Sequence, residues 1–344
     1  HSSTAALALA AVLLCSLVLS GCGSQPTGDE TQTSDQPQQT AEGVNVNYGL
    51  SNPWDSLMPY YSVSGSNYSR IIYDKIYDRL AYVQPDGTCL PRAAEKWEST
   101  EDGHAIVFTL NQKAAFHDGT PVTAKDLRYS LDRAITADRY LGRFASYQGA
   151  YVASDTQLVV SLGIGDGQFI KLLNIPIIKS GSYGEKYPIG SGPYTYNEDH
   201  TELHAYEGYS TEYASYSSLP VDVIYIKSYP AQEEIISAFE DAYIDVTVND
   251  PSSYTNLGFA SANEIRSFAT TNMHYVGFNE NTTLGRYNVF RYALSFAFDR
   301  AYLEELLGGD AAASPIPMYP TCSSYPQELA DKLGYNMEMC MKIL

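Results

Sequence analysis

Apolar and polar residues alternate between Ala105 and Leu110, so Ile106, Phe108 and Leu110 fall on one side of an extended chain. That pattern predicts a half-buried strand. A strand centred on Trp97 precedes it, and Asp102-Gly103 between the two can take positive φ at low cost, which suits a hairpin turn. His117-Asp118-Gly119 is a second turn of this kind. The period then changes. Leu127, Leu131, Ala134 and Ile135 recur at helical spacing behind Thr123, which can cap the helix, with Asp126 three residues on near its positive end.

The same reading extends in both directions. Val44, Val46 and Tyr48 alternate with Asn and predict a strand. Tyr68, Ile72, Ile76 and Leu80 give one helix face, and Asp86-Gly87 a turn. Leu158 to Leu162 reads as a strand and Phe169 to Leu173 as a short apolar helix. Val221 to Ile226, Ala231 to Asp241 and Ile244 to Val248 read as strand, helix, strand, an order that predicts parallel pairing through a right-handed crossover.

Ala5 to Leu19 is an apolar run too short to span a bilayer comfortably, and small residues follow it. This reads as an export signal, residues 1–22. Leu19-Ser20-Gly21-Cys22 resembles the bacterial lipobox, in which the Cys thiol takes a diacylglyceryl group; Cys22 is the expected lipidation site. Residues 23–43 are Ser, Gln, Thr, Pro and acid, with too little apolar surface to fold. As a flexible chain they would span roughly 25 Å, enough for a tether.

The 344 residues exceed one typical core and imply more than one domain. A net charge of −19 argues against nucleic acid, whose phosphates need clustered Lys and Arg, and against electrostatic attachment to anionic lipid. The 30 Tyr fit a recognition surface, since Tyr makes apolar and polar contacts with one rigid side chain. Cys89, Cys322 and Cys340 show no metal-ligand spacing, and the sequence leaves open whether two of them pair.

Catalytic signatures are absent from the sequence. It has no Gly-x-Ser-x-Gly and no His-Glu-x-x-His. His200, Glu202 and His204 would share a strand face, but the Glu is misplaced for a zinc protease, and no metal is expected there. Gly190-Ser191-Gly192 is not a phosphate loop, because no Lys-Ser/Thr follows and Pro193 lacks a donor. Asp241 and Asp245 could pair as acid and base, with nothing else to support catalysis. No cofactor is expected.

Several of these stretches carry a family resemblance. Ala94-Glu95-Lys96-Trp97, the Asp102-Gly103 turn, Phe108-Thr109-Leu110 and Phe116-His117-Asp118-Gly119-Thr120-Pro121-Val122-Thr123-Ala124-Lys125-Asp126 resemble the signature of bacterial extracellular solute-binding proteins of family 5, the oligopeptide, dipeptide and nickel-binding lipoproteins of ATP-binding cassette importers. Gly190-Ser191-Gly192-Pro193-Tyr194 is similar to the segment where that family crosses back between lobes. Met273 to Asn279 resembles a strand ending in Asn, and Arg291 to Arg300 its following helix, closed by Gly308. Two positions depart from the pattern: Met58 replaces an acid in Leu57-Met58-Pro59, and Asp241-Ala242-Tyr243-Ile244-Asp245 keeps only the final Ile-Asp of a Gly-Glu-Ile-Asp turn.

The resemblance implies an α/β, periplasmic-binding-protein-like two-lobed fold (type II, cluster C, with an extra domain). Residues 44–62 and 185–268 would form lobe I, residues 63–184 the extra domain II, and residues 269–344 the start of a lobe III that is incomplete. It implies a receptor rather than an enzyme: a monomer, tethered to the membrane at Cys22, that gives a peptide or similar solute to importer permease subunits. The alternative is a lipid-tethered surface hydrolase or chaperone on a related scaffold. By segment, the resemblance places ligand contacts at Tyr60, Tyr61, Val63 and Ser64, at Asn249 and Asp250, and at Asn272, His274 and Tyr275.

Overall fold

The computed structural model describes residues 43–50, 58–60, 67–84, 86–209, 219–249, 257–259, 263–266, 273–307 and 311–344. The export signal, the tether and Cys22 lie outside them. Strand β1 (Asn45–Leu50) and helix α1 (Asn67–Ile76) come first. Short strands β2 (Ala81–Val83) and β3 (Cys89–Pro91) pair antiparallel. Then come β4 (Ala94–Ser99), β5 (Ala105–Leu110), α2 (Ala124–Thr136), β6 (Tyr147–Ser154) and β7 (Gln157–Leu162). Strands β8 (Tyr194–Tyr196), β9 (Glu202–Ala205) and β10 (Val223–Ser228) precede α3 (Gln232–Glu240) and β11 (Val246–Thr247). Helices α4 (Asn288–Ser295), α5 (Arg300–Leu306), α6 (Gln327–Lys332) and α7 (Met337–Ile343) follow.

The second sheet has the order β4-β5-β7-β6, all antiparallel. Its alternation is the one read above: Ile106, Phe108 and Leu110 are buried, and Val160 and Leu158 face them across the ladder. Burying each such side chain contributes roughly 1.5–3 kcal/mol. Leu127, Leu131 and Ala134 of α2 are buried in the same core. The helix begins as expected. Asp126 Oδ2 accepts from the Thr123 amide at 2.9 Å and from the Thr123 hydroxyl at 2.6 Å, while Asp126 Oδ1 accepts from the Ser180 amide at 2.9 Å. One buried carboxylate therefore caps α2 and holds a loop 54 residues away. The Asp102-Gly103 turn also forms, with Gly103 at φ +69° and Asp102 Oδ1 accepting from Thr100 Oγ1 at 2.6 Å.

The first sheet has the order β11-β1-β10-β9-β8. β1 pairs parallel with both β10 and β11, which do not pair with each other. The strand–helix–strand unit thus steps over β1 rather than closing on itself. Sequence alternation sets which face a strand buries but not its neighbour, so this insertion was not legible. Ile235 and Ala238 of α3 pack with Ile244 and Leu257 in a small separate core.

The two sheets share one continuous apolar core, and the segment around residues 188–194 joins them. Gly192 donates its amide to the Ile76 carbonyl at 2.8 Å. A β-carbon at Gly190 would stand 2.0 Å from the Ile76 carbonyl oxygen, and one at Gly192 would stand 2.6 Å from that of Lys75. Only glycine lets this segment lie against the end of α1. The expected helix face reaches only to Ile76: Leu80 is buried beyond the helix, and the Ile76 carbonyl accepts from the Gly192 amide of this crossing.

Two further expectations change. Met273 to Asn279 forms no regular strand among the described residues, and Met273, Tyr275 and Val276 are exposed. The helix expected from Arg291 to Gly308 is two, α4 and α5, because Asp299 caps a new helix by accepting from the Tyr302 amide at 3.1 Å. Gly308 lies outside the described residues. This region has a small core of Ala293, Phe296 and Cys340.

Two outcomes test this account. Gly190→Ala should lower stability by on the order of 3 kcal/mol, as overpacking against backbone does, whereas Gly184→Ala, with nothing within 4 Å of its β-carbon position, should be near neutral; equal denaturation midpoints would refute the close-approach argument. The second concerns Asp118, whose carboxyl is held at about 2 by hydrogen bonds from Lys179 and Thr120. Its folded-state value lies below its unfolded one, so its contribution is present above about pH 4 and lost as pH falls toward 2. Asp118→Asn should flatten the acid limb of the stability–pH curve and leave its neutral side parallel to wild type.

Candidate functional site

The candidate site is the edge at which the parallel strands end. β10, β1 and β11 run in one direction and finish at Ser228, Leu50 and Thr247. In open α/β sheets the loops beyond such carboxyl ends face ligands, because the sheet fixes their feet while their polar groups stay free of the ladder. The feet here are stitched together. The Tyr229 amide donates to the Leu50 carbonyl at 2.8 Å, and Thr247 Oγ1 donates to the Gly49 carbonyl at 3.1 Å. One layer back, Asp245 Oδ2 accepts from the Asn47 amide at 2.7 Å and from Asn47 Nδ2 at 3.0 Å. Asp245 is thereby committed to holding β1, not to an acid–base pair with Asp241.

Asn249 follows β11 at this edge. It is exposed, and its Oδ1 accepts from the Leu257 amide at 2.7 Å, which ties residue 257 to the end of β11. His274 and Tyr275 are exposed on the segment ahead of α4, Tyr275 to 78%. Tyr60 is different. It is 2% exposed, its hydroxyl donates to the Pro176 carbonyl, and its ring meets Tyr140 edge-on at 6.0 Å. Burial, and after it Tyr140, raises its pKa well above the ordinary value. In this structure Tyr60 presents neither face nor hydroxyl to solvent; it ties the chain at residue 60 to Pro176 and Tyr140. Tyr61, Val63, Ser64, Asp250 and Asn272 lie outside the described residues.

His117 belongs to the joint between the sheets. Its amide donates to the Gly190 carbonyl at 2.9 Å, its Nε2 lies 3.0 Å from the Gly192 carbonyl, and its ring meets Tyr206 at 5.0 Å. Burial lowers its pKa, against the pull of the Gly192 carbonyl and Asp118. The neutral ring can donate from Nε2, so the clasp needs no positive charge. His200 is not on a strand face with Glu202 and His204: it sits at φ +57° in the preceding turn, stacked on Tyr187 at 3.6 Å. His204 Nε2 and Glu202 Oε2 pair at 2.8 Å. Among the described residues no three His, Cys, Asp or Glu are grouped to hold a metal ion.

Sequence reasoning passed over Tyr229, which continues β10 at the same edge. It borders a shallow acidic concavity over α3 with Glu233, Glu234, Asp241 and Tyr243. The acids at helical spacing were the available signal. No helix among the described residues is long and apolar enough to cross a membrane.

Comparison with known proteins agrees with the architecture. The oligopeptide-binding protein AppA of Bacillus subtilis is 23% identical over 99% of this chain and 66% of its own length. Its solved structure, in complex with a nonapeptide, superposes with a TM-score of 0.59 at 20% identity, covering 87% of this chain and 63% of that one. NikZ from Campylobacter jejuni in complex with Ni(L-His) gives 0.60 at 18% identity, covering 84% and 62%. These are two-lobed periplasmic binding proteins, and the chain shares their fold; it spans about two thirds of the length of each. Residues 88–344 match the family described as bacterial extracellular solute-binding proteins, family 5 Middle. The chain belongs to that family.

Proposed function

We propose that this protein captures a peptide or a similarly small solute outside a bacterial cell and delivers it to the permease of an ATP-binding cassette importer. The observation that carries this reading is the sheet edge. Three parallel strands end together, their feet are locked by hydrogen bonds, and the exposed Asn249 follows β11 without joining the ladder. A bound extended peptide needs partners for its backbone groups, since each unmet one costs on the order of 1–3 kcal/mol. Asn249, His274 and Tyr275 offer such partners, and Tyr61, Val63, Ser64, Asp250 and Asn272 belong to the same segments. Tyr60 serves the site indirectly, by holding the chain next to Tyr61 against Pro176.

The reading is binding without turnover, in keeping with a family of solute receptors. Residues 44–62 and 185–268 are read as one lobe and residues 63–184 as an added domain, with residues 269–344 opening the next lobe. Closure of the lobes around the solute is the expected motion. Cys22, ahead of its polar tether, is read as the lipid anchor. AppA was solved with a nonapeptide and NikZ with Ni(L-His), so a peptide and a metal chelate are the first solutes to test.

The protein purified without denaturant from its natural source should carry a small solute visible by native mass spectrometry and should release it unchanged in mass. Product masses that grow with time would reveal an enzyme instead. With the solute in hand, a hundredfold excess over Kd should stabilise the protein by about 2.7 kcal/mol, and Tyr275→Ala should shrink that thermal shift while leaving the unliganded midpoint in place. An undiminished shift would remove Tyr275 from the site. Separately, expression of the gene with Cys22→Ala should move the protein from the detergent fraction to the aqueous one. A variant that stays as detergent-dependent as wild type would end the anchor assignment.

A further inference from the structure

Three cysteines lie among the described residues, and all are free thiols. Cys340 is buried in the small core with Ala293 and Phe296. The other two converge on one turn. Cys89 opens β3, and its Sγ lies 4.0 Å from the Gly87 carbonyl oxygen. Cys322 comes from the loop before α6, far along the chain, yet its Sγ lies 3.8 Å from the point a Gly87 β-carbon would occupy. Lys171 Nζ is 3.2 Å from that same point. Two thiols and an ammonium thus surround one glycine, which has no side chain to hold them apart.

We propose that Cys89 and Cys322 form a disulfide when the protein meets a small disulfide oxidant such as oxidised glutathione, tying the stretch ahead of α6 to the β2–β3 hairpin. A disulfide needs its two β-carbons about 3.8 Å apart, so the thiols must close a last interval. The partner able to move is the later one. Beyond residue 311 the buried hydrophobic residues are only Ala330 and Cys340, whereas β3 is pinned by its ladder with β2 and the core beneath it. Family membership adds the setting: extracellular proteins meet oxidising conditions in which disulfides persist.

The two thiols have different parts in the reaction. Cys322 Sγ lies 3.2 Å from Ser324 Oγ, and hydrogen bonds from Ser324, helped by Lys171, lower its pKa. Cys89 is half-buried, and burial raises its pKa despite Lys171. The thiolate is the attacking species, so Cys322 reacts first. Its sulfur attacks one sulfur of the oxidant, forms a mixed disulfide and releases one glutathione. Cys89 then attacks the Cys322 sulfur, closes the protein S–S bond and releases the second glutathione. The protein thiols lose two electrons and two protons, and both pass to the oxidant, whose S–S bond becomes two thiols.

The test uses the intact chain. After incubation with oxidised glutathione and quenching with an alkylating agent, digestion without reductant should give a linked peptide containing Cys89 and Cys322, with Cys340 alkylated. Reduction should remove the link and lower the thermal midpoint. Cys89→Ser should accumulate glutathione on Cys322, whereas Cys322→Ser should leave Cys89 largely free. Alkylation of both Cys89 and Cys322 after oxidation, or links to Cys340 or to a second chain, would overturn the pairing. Equal glutathione loading of the two single variants would overturn the order of attack. The wild-type peptide map decides the pairing even if a variant folds poorly.

Discussion

The architecture depends on one close approach of backbone to backbone. Residues 190–193 cross the end of α1 so tightly that no β-carbon fits at Gly190 or Gly192. Several contacts that join the two sheets gather at this crossing. His117 clasps it from the turn before α2, Tyr77 reaches the Pro188 carbonyl at 2.9 Å, and Tyr206 reaches the Phe116 carbonyl at 3.2 Å. These are mostly single hydrogen bonds between a side chain and a carbonyl, each with a net contribution of about 1 kcal/mol. Their joint effect is larger than any one, because the glycine contact fixes the distance at which all of them can form.

The candidate edge is built by the same economy of means. Strand β1 holds its two neighbours through backbone pairing, and Asp245 and Thr247 secure the shorter one by side-chain contacts to it. With only two residues in β11, the ladder alone would fix it weakly. The carboxylate of Asp245 supplies what the missing rungs do not, which is why a residue that could pass for a catalytic acid is a strut.

What could be read ahead was local. The Thr123–Asp126 cap, the Asp102-Gly103 hairpin and the buried alternation in β5 are each decided within a few residues, and each formed. What could not be read was long-range. Alternation in β10 and β11 says which face is apolar but not that β1 lies between them. The 273–279 segment has strand-like residues without a strand to join, and Asp299, a readable cap, was passed over in favour of one continuous helix. Tyr60 was placed at the site by its segment, and its actual position depends on Pro176, a residue over a hundred positions away. Sequence cannot show that a hydroxyl will find a distant carbonyl.

The position of β1 also sets a timetable. Val44, just ahead of it, bonds Asp222 178 residues downstream, and Asp245 lies 198 from Asn47. Until that later chain exists, β1 is a half-apolar strand with both edges bare, a template for the wrong neighbour. The β4-β5-β7-β6 sheet, by contrast, closes within residues 94–162 and can assemble first. Ordering so remote a pairing is slow, since the loop entropy must be overcome before any rung rewards it. A ribosome or a secretion channel that releases this chain from its beginning therefore delivers first the strand that must wait longest, and the inserted sheet forms while it waits.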